Sequence, residues 1–133
     1  MIAPPVLAVS AVVIDHGELL LIERGAGPAR GQWAVPGGRL EPGEPLKAAV
    51  AREVREETAL AVEPTELIGL NEVISDVSHY VVACYRADLR GHRDPTAGSD
   101  AAAVAWVPLG AVASMTMVPG VLGFLHEHGV VPR

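Results

Sequence analysis

The sequence predicts an α/β (α+β) domain in which β-strands lie on both sides of one long helix and a second helix follows near the end. Residues 46–60 contain neither glycine nor proline and carry an apolar stripe at helical spacing, formed by Leu46, Ala49, Val50 and Val54. Aliphatic runs rich in β-branched residues, beginning with residues 6–14, predict the strands. Because the chain has 133 residues and half are hydrophobic, we expect one domain over residues 1–133.

The other elements follow in order along the chain. Residues 6–14 predict a buried strand, and residues 19–23 predict its hairpin partner after a turn at residues 15–18. After a loop over residues 24–31, strands are predicted at residues 33–35, 39–40, 62–73, 78–89 and 101–107. A polar loop separates the last two, and the chain ends with a helical turn at 109–113 and a helix at 119–128.

The long helix carries three glutamates on one face. Glu53, Glu56 and Glu57 are related by i, i+3 and i+4, so their carboxylates lie side by side. Such a run is often only a solvated, charge-laced face. A divalent cation such as Mg²⁺ would relieve the repulsion, because it binds oxygen and bridges carboxylates to phosphates. The glycine pair Gly37 and Gly38 favours this second reading, since it predicts a turn with permissive backbone angles before the helix.

The stretch 37–60 resembles the Nudix box, G-x5-E-x7-R-E-U-x-E-E-x-G-U, in which U is an aliphatic residue. The positions that fit in register are Gly38, Glu44, Arg52, Glu53, Val54, Glu56, Glu57 and Leu60. Ala59 stands where the family has a glycine that suits a left-handed helix C-cap. We expect either an alanine held in that conformation, at a cost on the order of 1 kcal/mol, or a different helix end.

This resemblance implies an α/β/α sandwich with a central mixed sheet. It also implies Mg²⁺-dependent hydrolysis of the pyrophosphate linkage of a nucleoside diphosphate joined to a group X, by attack of water on phosphorus. Mn²⁺ is the expected substitute for Mg²⁺. The substrate stays open between nucleoside triphosphates and ADP-ribose-like compounds. The alternative is a catalytically silent Nudix-fold module that binds a nucleotide metabolite, although the retained box glutamates favour an enzyme.

The resemblance also implies roles for the box residues. Glu56 and Glu57 are the expected metal ligands, the carbonyl of Gly37 or Gly38 is a further ligand, and Glu53 is either a third ligand or the general base. Glu44 is then an outer ligand or a partner for Arg52, whose guanidinium would orient the carboxylates.

Residues outside the acidic face give weaker signals. Arg24 and Arg39 flank the glycine pair, and together with Gly37 and Gly38 they are the candidates for binding substrate phosphates. The stretch 97–106 offers only Asp100 as a downstream base, and Ala103 occupies a position where related sequences often carry glutamate. This absence strengthens the candidacy of Glu53.

Composition limits the partners. The net charge of −6 argues against stable nucleic-acid binding, and no apolar run approaches the roughly 20 residues of a membrane span. Cys84 is the only cysteine, which favours a reducing, cytoplasmic location and a small core residue. The expected partner is a small-molecule nucleotide, and a homodimer is compatible with the resemblance.

Overall fold

The computed structural model describes residues 2–133 and contains a seven-stranded mixed sheet with helices on both faces. Its elements are β1 (Val6–Asp15), β2 (Glu18–Arg24), β3 (Trp33–Ala34), β4 (Gly37–Arg39), α1 (Leu46–Thr58), β5 (Ala61–Ile74), β6 (His79–Arg90), β7 (Ala101–Pro108), a 3₁₀ helix (Leu109–Ser114) and α2 (Val121–Glu127). The strand order is β3-β2-β1-β6-β5, with β4 paired to β1 and β7 paired to β2. The predicted fold class is confirmed.

The sheet is mixed because β1 and β6 run parallel, whereas the other pairs are antiparallel. Side chains of β1 alternate between two apolar cores, as the two-residue period of a strand requires. Val9, Ala11 and Val13 face α1, and Val12 faces the core that contains α2. Cys84 is 1% exposed in this second core, in agreement with its interpretation as a small core residue.

The predicted turn at Gly37 and Gly38 is wrong. Both glycines belong to β4 and pair with β1, Gly37 opposite Ser10 and Gly38 opposite Val9. Neither has a positive φ, so conformational freedom is not what requires them. Space is the reason: a Cβ on Gly37 would overlap the carbonyl oxygen of Val9, and one on Gly38 would lie 2.5 Å from the Glu53 carboxylate.

Helix α1 ends as the box pattern predicts, although the residue is not glycine. Ala59 is its C-cap with φ 62° and ψ 14°, and its amide donates to the carbonyl of Arg55. This left-handed conformation costs an alanine about 1 kcal/mol. Leu60 follows and is fully buried under the helix, which holds the strained residue in place.

Strand β5 forms one edge of the sheet and pairs only with β6. Its register shifts twice, between Pro64 and Leu67 and again between Leu67 and Gly69. Leu70 and Ile74 on this strand are each 60% exposed. Among residues 2–133, no helix is both long and apolar enough to span a membrane.

Candidate active site

Arg52 of α1 is the centre of a network of carboxylates. Its Nε and Nη2 donate to the two carboxylate oxygens of Glu44, at 2.6 and 2.9 Å. Its Nη1 donates to Glu53 at 2.9 Å and to Glu56 at 3.2 Å. Nη2 also donates to the carbonyl of Arg39 at 3.1 Å, which joins the helix to β4. Such a forked contact fixes both the position and the orientation of the guanidinium.

The carboxyl groups around Arg52 differ in the direction in which their pKa values are shifted. The hydrogen bond from Arg52 holds the pKa of Glu44 below its usual range, and the same bond raises the pKa of Arg52. Glu53 behaves oppositely: its pKa is raised because burial outweighs the attraction of Arg52. Its side chain is 13% exposed, whereas that of Glu56 is 57% exposed. The same helix face therefore presents one sheltered and one open carboxylate.

Glu57 is the most strongly perturbed acid near this network. Burial raises its pKa to about 7, opposed by the hydrogen bond that its Oε1 accepts from the amide of Gly37 at 2.7 Å. The charges of Glu53 and Asp100 raise the pKa further, and Arg24 lowers it. Arg24 therefore offsets only part of the negative charge gathered here, and such an excess is the electrostatic condition for binding a cation.

The acidic side chains near the end of α1 line one cavity of about 650 Å³. Its wall includes Glu53, Glu56, Glu57, Gly37, Gly38 and Asp100. The oxygen-only donor set fits Mg²⁺ or Mn²⁺. Within residues 2–133, no three His, Cys, Asp or Glu side chains converge as a preformed metal cluster. Glu53 and Glu56 accept hydrogen bonds from Arg52, whereas Glu57 accepts one from the amide of Gly37. The three carboxylates are therefore held toward different partners along the cavity wall.

The loop over residues 91–100 brings Asp100 to this cavity by docking on the end of α1. The amides of Thr96 and Gly98 donate to the carbonyls of Thr58 and Glu57, at 2.9 and 3.0 Å. These carbonyls belong to the last turn, where a helix leaves acceptors unsatisfied. A Cβ on Gly98 would overlap the carbonyl oxygen of Glu56, so the close approach requires glycine.

A second attachment fixes the start of the same loop. Arg93 forms ion pairs with Asp15 at 2.8 Å and Glu18 at 2.7 Å, and its guanidinium lies 4.7 Å from the centre of the Trp106 ring. The indole nitrogen of Trp106 donates to the carbonyl of Arg93 at 2.7 Å. Sequence reasoning missed both attachments, because they join residues far apart in the chain.

The domain family described as the NUDIX domain matches residues 4–127. This chain belongs to the Nudix family.

Relatives agree with this membership. The MutT-like protein of Streptomyces ambofaciens is 38% identical over 109 residues, which cover 79% of this chain and 66% of that protein. The crystal structure of a MutT protein from Methanosarcina mazei Go1 matches with a TM-score of 0.85 at 26% identity, covering 95% of this chain and 94% of the other. The human 8-oxo-dGDP phosphatase NUDT18 is 43% identical over 44% of this chain, and this match spans only 18% of NUDT18.

The structure brings Glu53, Glu56 and Glu57 of the predicted Nudix box to one cavity. Of the two flanking arginines that were predicted to bind phosphates, only one lies there. Arg24 lines the carboxylate cavity, whereas Arg39 does not. The Nη2 of Arg39 donates to the hydroxyl of Tyr80 at 2.8 Å, and its guanidinium lies 5.6 Å from the centre of that ring. Arg39 therefore stands at a neighbouring cavity rather than beside the Nudix glutamates.

That neighbouring cavity has a volume of about 590 Å³ and a largely aliphatic wall. It shares Arg24, Gly37, Gly38 and Glu57 with the carboxylate cavity, so the two spaces adjoin along β4. Its size lies in the range of small-molecule sites. The two cavities of this Nudix fold therefore adjoin, one lined by glutamates and the other mainly by aliphatic side chains.

Proposed function

We propose that this chain hydrolyses the pyrophosphate linkage of a nucleoside diphosphate joined to a further group X, and that the reaction depends on Mg²⁺. The observation that carries the proposal is the pair of adjoining cavities. One is walled by the glutamates of α1 and suits metal-bound phosphates. The other is apolar and suits the nucleoside.

In this proposal Glu56 and Glu57 hold the metal ion, and the carbonyl of Gly37 adds an oxygen ligand. Mn²⁺ is a substitute, because it accepts the same hard oxygen donors. When bound, the ion polarises phosphate oxygens and lowers the pKa of a coordinated water. Gly38 leaves room for the Glu53 carboxylate beside the ligand, since any side chain at residue 38 would fill that space.

The chain's own groups position and deprotonate the attacking water. Glu53 is the proposed general base, because its carboxylate lines the cavity and burial raises its pKa, which favours acceptance of a proton. Arg52 orients Glu53 and Glu56 while Glu44 fixes Arg52 from the other side. Arg24 meets the substrate phosphates at the boundary of the two cavities. Asp100 faces the same space from the docked loop and adds negative charge there.

The test is a hydrolysis panel of nucleoside triphosphates, ADP-ribose, dinucleoside polyphosphates and nucleotide sugars, each with Mg²⁺ and with EDTA. The expected result is cleavage of one class with Mg²⁺ and none with EDTA. Glu66→Gln is a matched control, because Glu66 is an exposed glutamate that pairs with Arg86 outside both cavities.

Cleavage that persists in EDTA would overturn the metal dependence. Silence across the panel, together with thermal stabilisation by one of its nucleotides, would instead identify a binding module that does not turn over its ligand.

A further inference from the structure

Asn71 places a carboxamide in the wall of the apolar cavity. On β5 it lies opposite Val82 of β6, and Val73 lies opposite Tyr80 in the same ladder. All four residues line the cavity, because opposed residues of antiparallel strands share a face. The polar side chain of Asn71 thus stands beside Val73, Val82 and Tyr80 within a strand, where asparagine is disfavoured.

Other polar side chains nearby have partners. The hydroxyl of Tyr80 accepts from Arg39, the hydroxyls of Ser75 and Ser78 bond each other, and Glu72 contacts His79. Within residues 2–133 no hydrogen bond engages the carboxamide of Asn71, although the residue is half-buried. Its polar atoms are not fully enclosed by protein, so they are open to the cavity. The carboxamide is therefore available to a ligand in the cavity.

A carboxamide presents one donor and one acceptor side by side. The edges of nucleobases present the complementary pair, which is why asparagine pairs bidentately with adenine in DNA recognition. The apolar surroundings strengthen discrimination, because a mismatched base edge leaves a polar group without a partner. Apolar walls alone distinguish bases poorly.

We propose that Asn71 reads the hydrogen-bonding edge of the nucleobase and so determines which nucleoside the site prefers. This inference rests on the proposed function only in requiring that a nucleotide occupies the two cavities. It assigns base selection to a neutral group on β5, which β6 and β1 separate from the strand that carries Arg24 at the phosphate end of the cavities.

Calorimetric binding of the products separates this role from hydrolysis. AMP, GMP, CMP, UMP and ribose 5-phosphate are titrated in Mg²⁺ buffer into the wild-type protein, Asn71→Leu and Asn71→Asp. Wild type is expected to prefer one base over the weakest by about tenfold or more. Asn71→Leu should reduce that ratio to about threefold or less, and Asn71→Asp should change the order of preference.

Two controls make the result specific. Ribose 5-phosphate lacks a base, so its affinity should be the same in wild type and Asn71→Leu. Glu72→Gln alters the adjacent residue, which is absent from the cavity wall, and should leave base preference unchanged. Unchanged melting temperatures show that the variants fold.

The proposal is overturned if wild type binds the monophosphates without preference, or if Asn71→Leu keeps the wild-type ratio. It is also overturned if ribose 5-phosphate weakens in parallel with the nucleotides, because the loss would then be unrelated to the base. Absence of hydrolysis with intact base preference would refute the proposed hydrolase and leave the role of Asn71 standing.

Discussion

The amide of Gly37 donates a 2.7 Å hydrogen bond to Oε1 of Glu57, across 20 residues of sequence. This bond ties β4 to the last turn of α1 and sets the distance between the glycine strand and the acidic helix face. The hydrogen bond lowers the pKa of Glu57, but it only partly offsets the burial that raises this pKa to about 7. The contact thus links the construction of the fold to the chemistry of the site.

Glu57→Gln should abolish turnover while preserving the fold. The amide oxygen of glutamine still accepts from Gly37, and removing a buried charge relieves its desolvation. We expect activity to fall by more than about a hundredfold, because the proposed metal ligand is lost. The melting temperature should change little. Full activity in this variant would show that Glu57 is not a ligand.

The metal-free protein should lose stability as the pH rises from about 4.5 through about 7. The pKa of Glu57 is higher in the folded state than the ordinary value of 4.5, so the native state binds more protons than the unfolded chain in this window. The loss is on the order of 3 kcal/mol. Chemical denaturation across this range in EDTA measures it, and Glu57→Gln should flatten the slope.

Added Mg²⁺ should stabilise the protein more above pH 7 than below it. Metal binding requires the ionised carboxylate, so protons compete with the cation at lower pH. Thermal unfolding at several pH values, with Mg²⁺ and with EDTA, checks this. Equal stabilisation at every pH would contradict the involvement of Glu57.

Ala59→Gly should stabilise the protein by about 1 kcal/mol, since glycine adopts the left-handed C-cap conformation without strain. The melting temperature should rise by roughly 2–8 °C. Ala48→Gly is the matched control, because Ala48 is exposed within α1 and its replacement should destabilise by about 0.5–1 kcal/mol. If both substitutions change the free energy of unfolding in the same direction, the assignment of Ala59 as a left-handed C-cap is contradicted.

Gly98→Ala should raise the activation free energy of the reaction by more than it lowers the free energy of unfolding. The added Cβ would overlap the carbonyl oxygen of Glu56 and push the loop away from α1, taking Asp100 out of the cavity. We expect a loss of roughly tenfold or more in kcat, because small misplacements of active-site groups are costly. Steady-state kinetics and thermal unfolding measure the two effects.

Ala97→Ser is the control for that loop, because Ala97 is the exposed neighbour of Gly98. The double variant Gly98→Ala with Asp100→Asn tests the mechanism. If the loop acts by placing Asp100, the losses in kcat caused by Gly98→Ala and by Asp100→Asn should not be additive in the double variant.

The sequence alone predicted the fold class, the order of elements and the acidic face of α1, because periodicity and box spacing are local properties. It left open whether Ala59 adopts the left-handed conformation or the helix ends differently, and the backbone angles decide for the first. It misread Gly37 and Gly38, since steric contact with Val9 and Glu53 depends on strand pairing rather than on backbone angles. The pairing of Arg39 with Tyr80 depends on the sheet topology in the same way.

Strand β5 has a consequence for the behaviour of the protein at high concentration. An open sheet edge is a template onto which another chain can add. Pro64 lacks an amide donor, and the two register shifts bend the strand, so an incoming strand cannot follow the first half. The longest stretch of regular pairing runs from residue 69 to residue 74, where Leu70 and Ile74 are exposed. Aggregation by edge pairing should therefore begin in this six-residue segment, and a lysine at residue 70 or 74 is the change that would suppress it.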